Sequence, residues 1–191
     1  MLHSCVSVST VENGLELLPS LESARLVLEP LMPHHAARTF ELWQDHRLYT
    51  FIPFEPPKDI ASLEHRYRML AARRSPDGTE EWFNWFARNK EDDTYVALIQ
   101  VTIRSDLSAY LAYFTFAPYW RLGFAHEACE TAIQFLVERG TRTVVAEIDT
   151  RNVASIRLIE KLGFQQESFT PAAAIIRGGV SDEYRYVRNL S

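Results

Sequence analysis

The stretch PYWRLGFAHEA, residues 118–128, decides the fold, because it joins a strand to a helix through a turn with one glycine. An aromatic-rich strand is predicted at residues 110–116 and the helix at residues 126–139. A helix begins with about four unpaired main-chain N–H groups and a partial positive charge, which together bind phosphate. Gly123 permits close approach of the backbone, and Ala125 keeps the first turn free of bulk. Taken alone, the pattern also fits an ordinary tight turn.

A second stretch, NVASIRLIEKLGF at residues 152–164, follows after one further strand, residues 143–149. Taken alone it is typical of an amphipathic helix with a cap at Asn152 and a glycine stop at Gly163.

In this order, the two stretches closely resemble the GNAT superfamily of acyl-CoA-dependent N-acyltransferases. The N-x-x-S and K-L-G-F elements of residues 152–164 match that family almost letter for letter. Residues 118–128 resemble the pyrophosphate loop of the branch that acetylates the N-termini of ribosomal proteins. Residues 24–31 and 182–184 resemble the first and last strands of that branch. The resemblance covers roughly residues 23 to 188.

The resemblance implies that acetyl-CoA is the cosubstrate and that an amine attacks its thioester directly. The loop would hold the pyrophosphate through main-chain N–H groups, and a splayed strand would pair with the pantetheine arm. Asn152 would hold the arm or the acyl region, and Ser155 would protonate the departing thiolate. The implied cofactor contacts are Phe114, Thr115, Phe116, Arg121, Leu122, Gly123, Phe124, Ala125, His126 and Asn152.

The chain departs from the family pattern at two positions. Arg121 stands where the loop usually has glycine, which either restricts the loop or adds a phosphate contact. Ile159 stands where many members carry a tyrosine acid. Ser155 is therefore the remaining candidate acid, and a hydroxyl without a catalytic role is the alternative.

A general base is harder to identify. Glu147 and Glu55 are the best candidates, although each also fits a surface or capping residue and a chain of water molecules is an alternative. An α-amine, with a pKa of about 7.7–8.0, needs less help than a lysine side chain near 10.4. We therefore expect an acceptor amine of low pKa, either a protein N-terminus or a small molecule.

The element order predicted along the chain is β-α-α-β-β-β-α-β-α-β. This order indicates an α+β (mixed α/β) fold, in which strands joined by short polar connections pair antiparallel. The resemblance implies a central mixed, mostly antiparallel sheet with splayed strands, flanked by helices. Residues 1–22 are expected to form an N-terminal tail, and residues 23–191 the N-acetyltransferase domain.

Composition excludes several other classes. The formal net charge is −5, without the basic footprint of a nucleic-acid-binding protein. The sequence contains neither a signal peptide nor an apolar run long enough to cross a membrane, so we expect a cytoplasmic protein. The six histidines are scattered, and Cys5 and Cys129 lack partners at zinc-site spacing, so no metal is expected. A homodimer is left open.

Three hypotheses compete at this stage. The first is an active amine N-acetyltransferase. The second is a non-catalytic acyl-CoA sensor module, which Arg121 and Ile159 favour. The third is a structural α+β protein with chance motifs.

Overall fold

One sheet of eight strands organises the molecule in the computed structural model, which describes residues 11–12, 15–16 and 18–190. The strands are β1 (Val11–Glu12), β2 (Leu15–Glu16), β3 (Leu21–Glu22), β4 (Leu26–Pro30), β5 (Glu80–Asn89), β6 (Tyr95–Arg104), β7 (Ser108–Thr115), β8 (Thr143–Asp149), β9 (Gln165–Ile176) and β10 (Gly179–Asn189). The α-helices are α1 (His35–Thr39), α2 (Ile60–Leu70), α3 (Phe124–Glu138) and α4 (Val153–Lys161). Short 3₁₀ helices cover Glu41–Gln44, His46–Tyr49 and Ala117–Tyr119.

The strand order in the large sheet is β3-β4-β5-β6-β7-β8-β10-β9, and β1 and β2 form a separate hairpin. Neighbouring strands of this sheet are antiparallel except for β7 and β8, which are parallel. The two parallel strands pair only from Ser108 to Tyr110 and from Thr143 to Val145, and beyond these residues they separate. The sheet therefore confirms the expected mixed, mostly antiparallel fold with a splayed strand pair.

Helices pack on both faces of the sheet. Successive side chains of a strand point to opposite faces, so neighbouring residues of one strand can belong to different cores. Trp85 and Phe86 are adjacent on β5 and both are fully buried, yet they belong to different cores. Trp85 packs on the side of α3 and α4, together with Leu136 and Ile159. Phe86 packs on the side of α1 and α2, together with Tyr67.

Local signals account for the helix ends. Asp59 accepts a hydrogen bond from the Ser62 N–H at 2.7 Å, while Ser62 Oγ accepts from the Asp59 N–H, so the two residues cap α2 as a capping box. Gly140, with φ of 76°, follows the end of α3. Helix α3 starts at Phe124, two positions before the expected residue 126.

The structure differs from the expected element order in two places. The first helix of the expected order is, in the structure, the five-residue α1 followed by two 3₁₀ helices. The segment after Phe164 forms β9, a 12-residue edge strand that the sequence did not predict. Most β9 side chains are exposed, so the sequence of this strand lacks the alternating apolar pattern from which a strand is predicted.

The expected tail is only partly described. Leu18 is buried, and the main-chain carbonyl of Pro19 accepts a hydrogen bond from Trp85 Nε1 at 2.9 Å. Leu21–Glu22 pairs with β4 as part of the sheet. Cys5 lies outside the described residues, and the division of the chain at residue 23 stays a prediction. No helix in the described ranges is long and apolar enough to cross a lipid bilayer.

Candidate active site

The loop between β7 and α3 contains two residues in the left-handed region. Trp120, at φ −62° and ψ 147°, is followed by Arg121 at φ 62°, which are the dihedral angles of a type II turn. Such a turn normally has glycine at its third position, which is where Arg121 stands. Gly123, at φ 82° and ψ 0°, then caps α3. The backbone thus explains why a glycine is usual at the Arg121 position.

The start of α3 offers donors for an anion. The main-chain N–H groups of Phe124, Ala125 and His126 make no hydrogen bond to any residue that the structure describes. They add to the positive end of the helix dipole, so a phosphate at this place would receive several hydrogen bonds. The loop is also tied to β7, because Trp120 Nε1 donates to the Thr115 carbonyl at 2.6 Å.

A network around Glu127 fixes the loop to the beginning of the sheet. The Glu127 carboxylate accepts hydrogen bonds from Ser23 Oγ, the Arg25 N–H and Arg25 Nε at 2.6–2.7 Å. Arg25 Nη1 also donates to the Leu122 carbonyl at 3.0 Å, and its guanidinium lies over the Phe124 ring. Burial alone would raise the pKa of Glu127, but the bonds from Ser23 and Arg25 lower it overall. Glu127 therefore stays charged and holds Arg25 beside the loop.

A surface cavity of about 510 Å³ opens beside this loop, and we call it the loop cavity. Three basic side chains face it, Arg25, His126 and Lys161. Its other lining residues are Ser23, Gly123, Glu127, Glu130 and Thr131. A ligand with phosphate groups would thus meet both the α3 N–H groups and basic side chains here.

The separation of β7 from β8 leaves main-chain groups available. The Phe116 N–H donates to the Val96 carbonyl, so the antiparallel alternation directs the groups of Tyr113 and Thr115 away from β6, into the gap. The side chain of Phe116 is fully buried, and that of Phe114 packs against Trp43 on the side of α1 and α2. This alternation favours Tyr113 and Thr115, rather than Phe114 and Phe116, as main-chain partners of a strand-like ligand.

Asn152 and Ser155 meet at the start of α4. Asn152 Oδ1 accepts a hydrogen bond from the Ser155 N–H at 3.2 Å, so Asn152 caps the helix. The Ser155 carbonyl accepts a hydrogen bond from the buried Tyr113 hydroxyl at 3.4 Å, and a side-chain hydrogen bond with Ser155 opposes the larger rise that burial causes in the pKa of Tyr113. Ile159 is fully buried one turn further on. The Ser155 hydroxyl is thus free of a capping role.

A second cavity, of about 360 Å³, lies on the opposite face of the sheet where β7 and β8 part, and we call it the splay cavity. It is polar, with a hydrogen bond of 3.0 Å from Gln100 Nε2 to Asn84 Oδ1 in its wall. Its lining residues are Leu70, Trp82, Asn84, Gln100, Thr102, Tyr110, Leu111, Ala112, Glu147 and Glu183.

The two carboxylates of the splay cavity have different surroundings. Arg185 Nη1 donates to Glu147 at 3.0 Å, and the same nitrogen donates to the Tyr110 hydroxyl at 3.0 Å. Glu183 is partly buried, and burial, followed by the charges of Glu147 and Asp149, raises its pKa. Sequence reasoning missed Glu183, although residues 182–184 had been matched to the last strand of the family.

Glu55, the other expected base, lies outside both cavities. Its carboxylate is exposed and lies 3.5 Å from Arg177 Nη1 at the tip of the β9–β10 hairpin. Arg177 Nε also donates to the Tyr49 carbonyl at 3.1 Å, so the hairpin tip and the loop after Tyr49 are joined. Of the two proposed bases, the structure brings only Glu147 to a cavity at the splayed strands.

Cys129 is fully buried in α3, and burial raises the pKa of its thiol. A buried, protonated thiol is a poor nucleophile. No group of three or more His, Cys, Asp or Glu side chains suited to a metal ion occurs among the residues described.

Comparisons with known proteins agree with this geometry. The family model described as acetyltransferase (GNAT) domain matches residues 25–165. The uncharacterized N-acetyltransferase YoaA of Bacillus subtilis is 23% identical over 154 residues, which cover 79% of this chain and 85% of YoaA.

Solved structures share the fold at lower sequence identity. RimL, a ribosomal L7/L12 alpha-N-protein acetyltransferase in complex with coenzyme A, superposes with a TM-score of 0.81 at 15% identity, over 90% of this chain and 98% of RimL. A mutant of the spermidine N-acetyltransferase SpeG of Vibrio cholerae superposes with a TM-score of 0.71 at 17% identity, over 88% and 96%. Proteins with quite different acceptors therefore share this fold, and the fold alone does not select among them.

Proposed function

This chain belongs to the GNAT acetyltransferase family and is an acetyl-CoA-dependent N-acetyltransferase, and we propose that its acceptor is a primary amine that binds in the splay cavity. The observation that carries the proposal is the parting of β7 and β8 beyond Tyr110 and Val145, with one cavity on each side of the sheet.

The loop cavity suits the acyl donor. Arg25, His126 and Lys161 line this cavity beside Gly123, which caps α3, so the pyrophosphate of acetyl-CoA would bind here and accept from the first N–H groups of the helix. From there the pantetheine arm would run along the open edge of β7 as an added strand, bonded to the main-chain groups of Tyr113 and to the N–H of Thr115, since the Thr115 carbonyl already accepts from Trp120 Nε1. The thioester would then lie in the gap near Ser155, whose hydroxyl can donate a proton to the departing thiolate.

The splay cavity suits the acceptor. It opens at the same gap from the opposite face, and its two carboxylates, Glu147 and Glu183, would attract an ammonium group. Amide and aromatic side chains complete a polar wall that can orient a small head group. We favour an α-amine, of a protein N-terminus or a small molecule, because its pKa of about 7.7–8.0 makes deprotonation easier than at a lysine side chain.

We favour direct transfer, without an acyl-enzyme, because the cysteine of α3 is a poor nucleophile. Cys129 is buried and its pKa is raised, which argues against a thiolate that accepts the acetyl group. A bound amine positioned against the thioester gains its rate from proximity and orientation.

An acceptor panel tests the proposal. The purified protein is mixed with acetyl-CoA and one of three amines: a peptide with a free α-amine, an N-blocked peptide with one lysine, or spermidine. Release of CoA thiol is followed in parallel with the mass of the amine. We expect the fastest release, with one acetyl group per thiol, for the α-amine. Binding of acetyl-CoA without thiol release for any amine would instead support the sensor hypothesis.

A further inference from the structure

The carboxylates Glu147, Asp149, Glu167 and Glu183 lie on the neighbouring strands β8, β9 and β10, and the first three are in ion pairs. Glu147 and Glu167 both pair with Arg185, at 3.0 Å and 2.8 Å. Asp149 pairs with Arg151 and accepts a hydrogen bond from Ser181 Oγ at 2.6 Å. The fourth, Glu183, has no ion pair and no side-chain hydrogen bond to any of the residues described here.

The place of Glu183 follows from the register of the sheet. Glu183 lies opposite Asp149 at the last paired position of β8 and β10, so it stands where β8 ends beside the gap. Its side chain lines the splay cavity together with Tyr110 and Ala112 of β7. A carboxylate on the far side of the gap thus shares the space in which an amine would approach the thioester.

We propose that Glu183 is the general base that removes a proton from the attacking amine. The proposal rests on the proposed function, since it assumes an amine in the splay cavity. The ammonium form of the acceptor gives one proton to the Glu183 carboxylate, and its nitrogen then forms a bond to the thioester carbonyl carbon. The carbon–sulfur bond breaks, a second proton passes from the nitrogen to the thiolate, and Glu183 returns its proton to water.

The surroundings of Glu183 suit this role. Burial and the negative charges of Glu147 and Asp149 raise its pKa above the ordinary 4.5, which makes it a stronger base. Arg185, two positions along β10 from Glu183, is already engaged by Glu147, Glu167 and the Tyr110 hydroxyl. Tyr110 also accepts a hydrogen bond from Arg104. The paired Glu147 is a weaker candidate, because its carboxylate is already engaged by Arg185 at 3.0 Å.

The pH dependence of kcat/KM separates a base from a structural residue. With the α-amine peptide, wild-type activity should rise as Glu183 ionises, so its acid limb is set by the carboxylate and not by the amine pKa of about 7.7–8.0. The Glu183→Gln variant can use only the acceptor molecules whose amine is already neutral. Its kcat/KM should therefore keep rising with pH until the amine pKa is reached. Below the amine pKa we expect a loss of about 10²–10⁴-fold, and at higher pH the loss should shrink.

Two further variants serve as controls. Asp182→Asn removes a carboxylate from the neighbouring position of β10, where its Oδ1 accepts the N–H of Ala172, and it should keep the wild-type pH profile. Glu183→Asp keeps a carboxylate and should restore the acid limb of the profile in part. Melting temperature and acetyl-CoA affinity are measured for each variant.

The outcomes are distinct. A Glu183→Gln profile that follows the amine pKa supports the proposal. An equal loss at every pH, or no loss, overturns it while leaving acetyl transfer by the wild type intact. Failure of the wild type to acetylate any amine would instead overturn the proposed function itself.

Discussion

A β-carbon added to Gly123 would lie 3.3 Å from Nη2 of Arg25, so the loop glycine and the first-strand arginine are in close contact. The same guanidinium donates to the carbonyl of Leu122 and to Glu127. Arg25 thus holds in place the turn that positions the first N–H groups of α3.

Gly123→Ala should weaken acetyl-CoA binding, because the methyl group presses on Arg25 and alanine resists φ of 82°. Gly140→Ala is the matched control, since Gly140 has φ of 76° at the other end of α3 and no atom would lie within 4 Å of its β-carbon. Calorimetric titration of both variants checks this. Equal acetyl-CoA affinities in two folded variants would place the pyrophosphate elsewhere.

Arg121 permits a comparison of strain with charge. Arg121→Gly removes the cost of φ 62°, whereas Arg121→Ala retains it, so the glycine variant should be more stable by about 1 kcal/mol. Both variants lose the guanidinium and should bind acetyl-CoA equally weakly, with a difference from wild type that shrinks at high salt. Urea unfolding and titration at two salt concentrations measure these effects. Wild-type affinity in both variants would mean that the side chain does not touch phosphate.

Ser155 and Asn152 should fail in different ways. Ser155→Ala should lower kcat by about 10²–10⁴-fold and change the melting temperature little, because Asn152, and not the Ser155 hydroxyl, caps α4. Asn152→Ala removes the α4 cap and should cost about 1 kcal/mol of stability. Pre-steady-state acetyl transfer and thermal melting of both variants separate the roles. A Ser155→Ala protein that transfers acetyl groups at the wild-type rate would remove Ser155 from the chemistry.

The Asp149 carboxylate should make the free energy of unfolding fall in acid. The hydrogen bonds from Arg151, helped by Ser181, lower the pKa of Asp149 from 3.8 to about 2. Its stabilisation is therefore complete above the unfolded pKa of 3.8 and is lost as the pH falls toward 2. Asp149→Asn should cost on the order of 2 kcal/mol at pH 7, and the gap to wild type should close in acid. Unfolding free energies of both proteins across this range check the sign, and a gap independent of pH would contradict it.

The sequence predicted those parts of the site whose signals are local. The α3 loop, the Asn152 cap and the glycine-like position of Arg121 all follow from short stretches, and the structure places Arg121 at φ 62° accordingly. The sequence did not predict strand β9, because an exposed edge strand lacks the alternation of apolar and polar residues that marks a strand packed on a core. The sequence did not predict the proposed role of Glu183, because that role depends on which carboxylates form ion pairs. The partners of these ion pairs are brought together only by the register of β8 and β10.

The central claim is direct transfer of the acetyl group to a primary amine, and one measurement tests it best. The protein is incubated with acetyl-CoA, with and without the α-amine peptide, while CoA thiol is titrated and the masses of peptide and protein are recorded. We expect thiol release only with the peptide, one acetyl group on the peptide per thiol, and an unmodified protein. Thiol release that leaves the acetyl group on the protein, or no amine-dependent release, would contradict it.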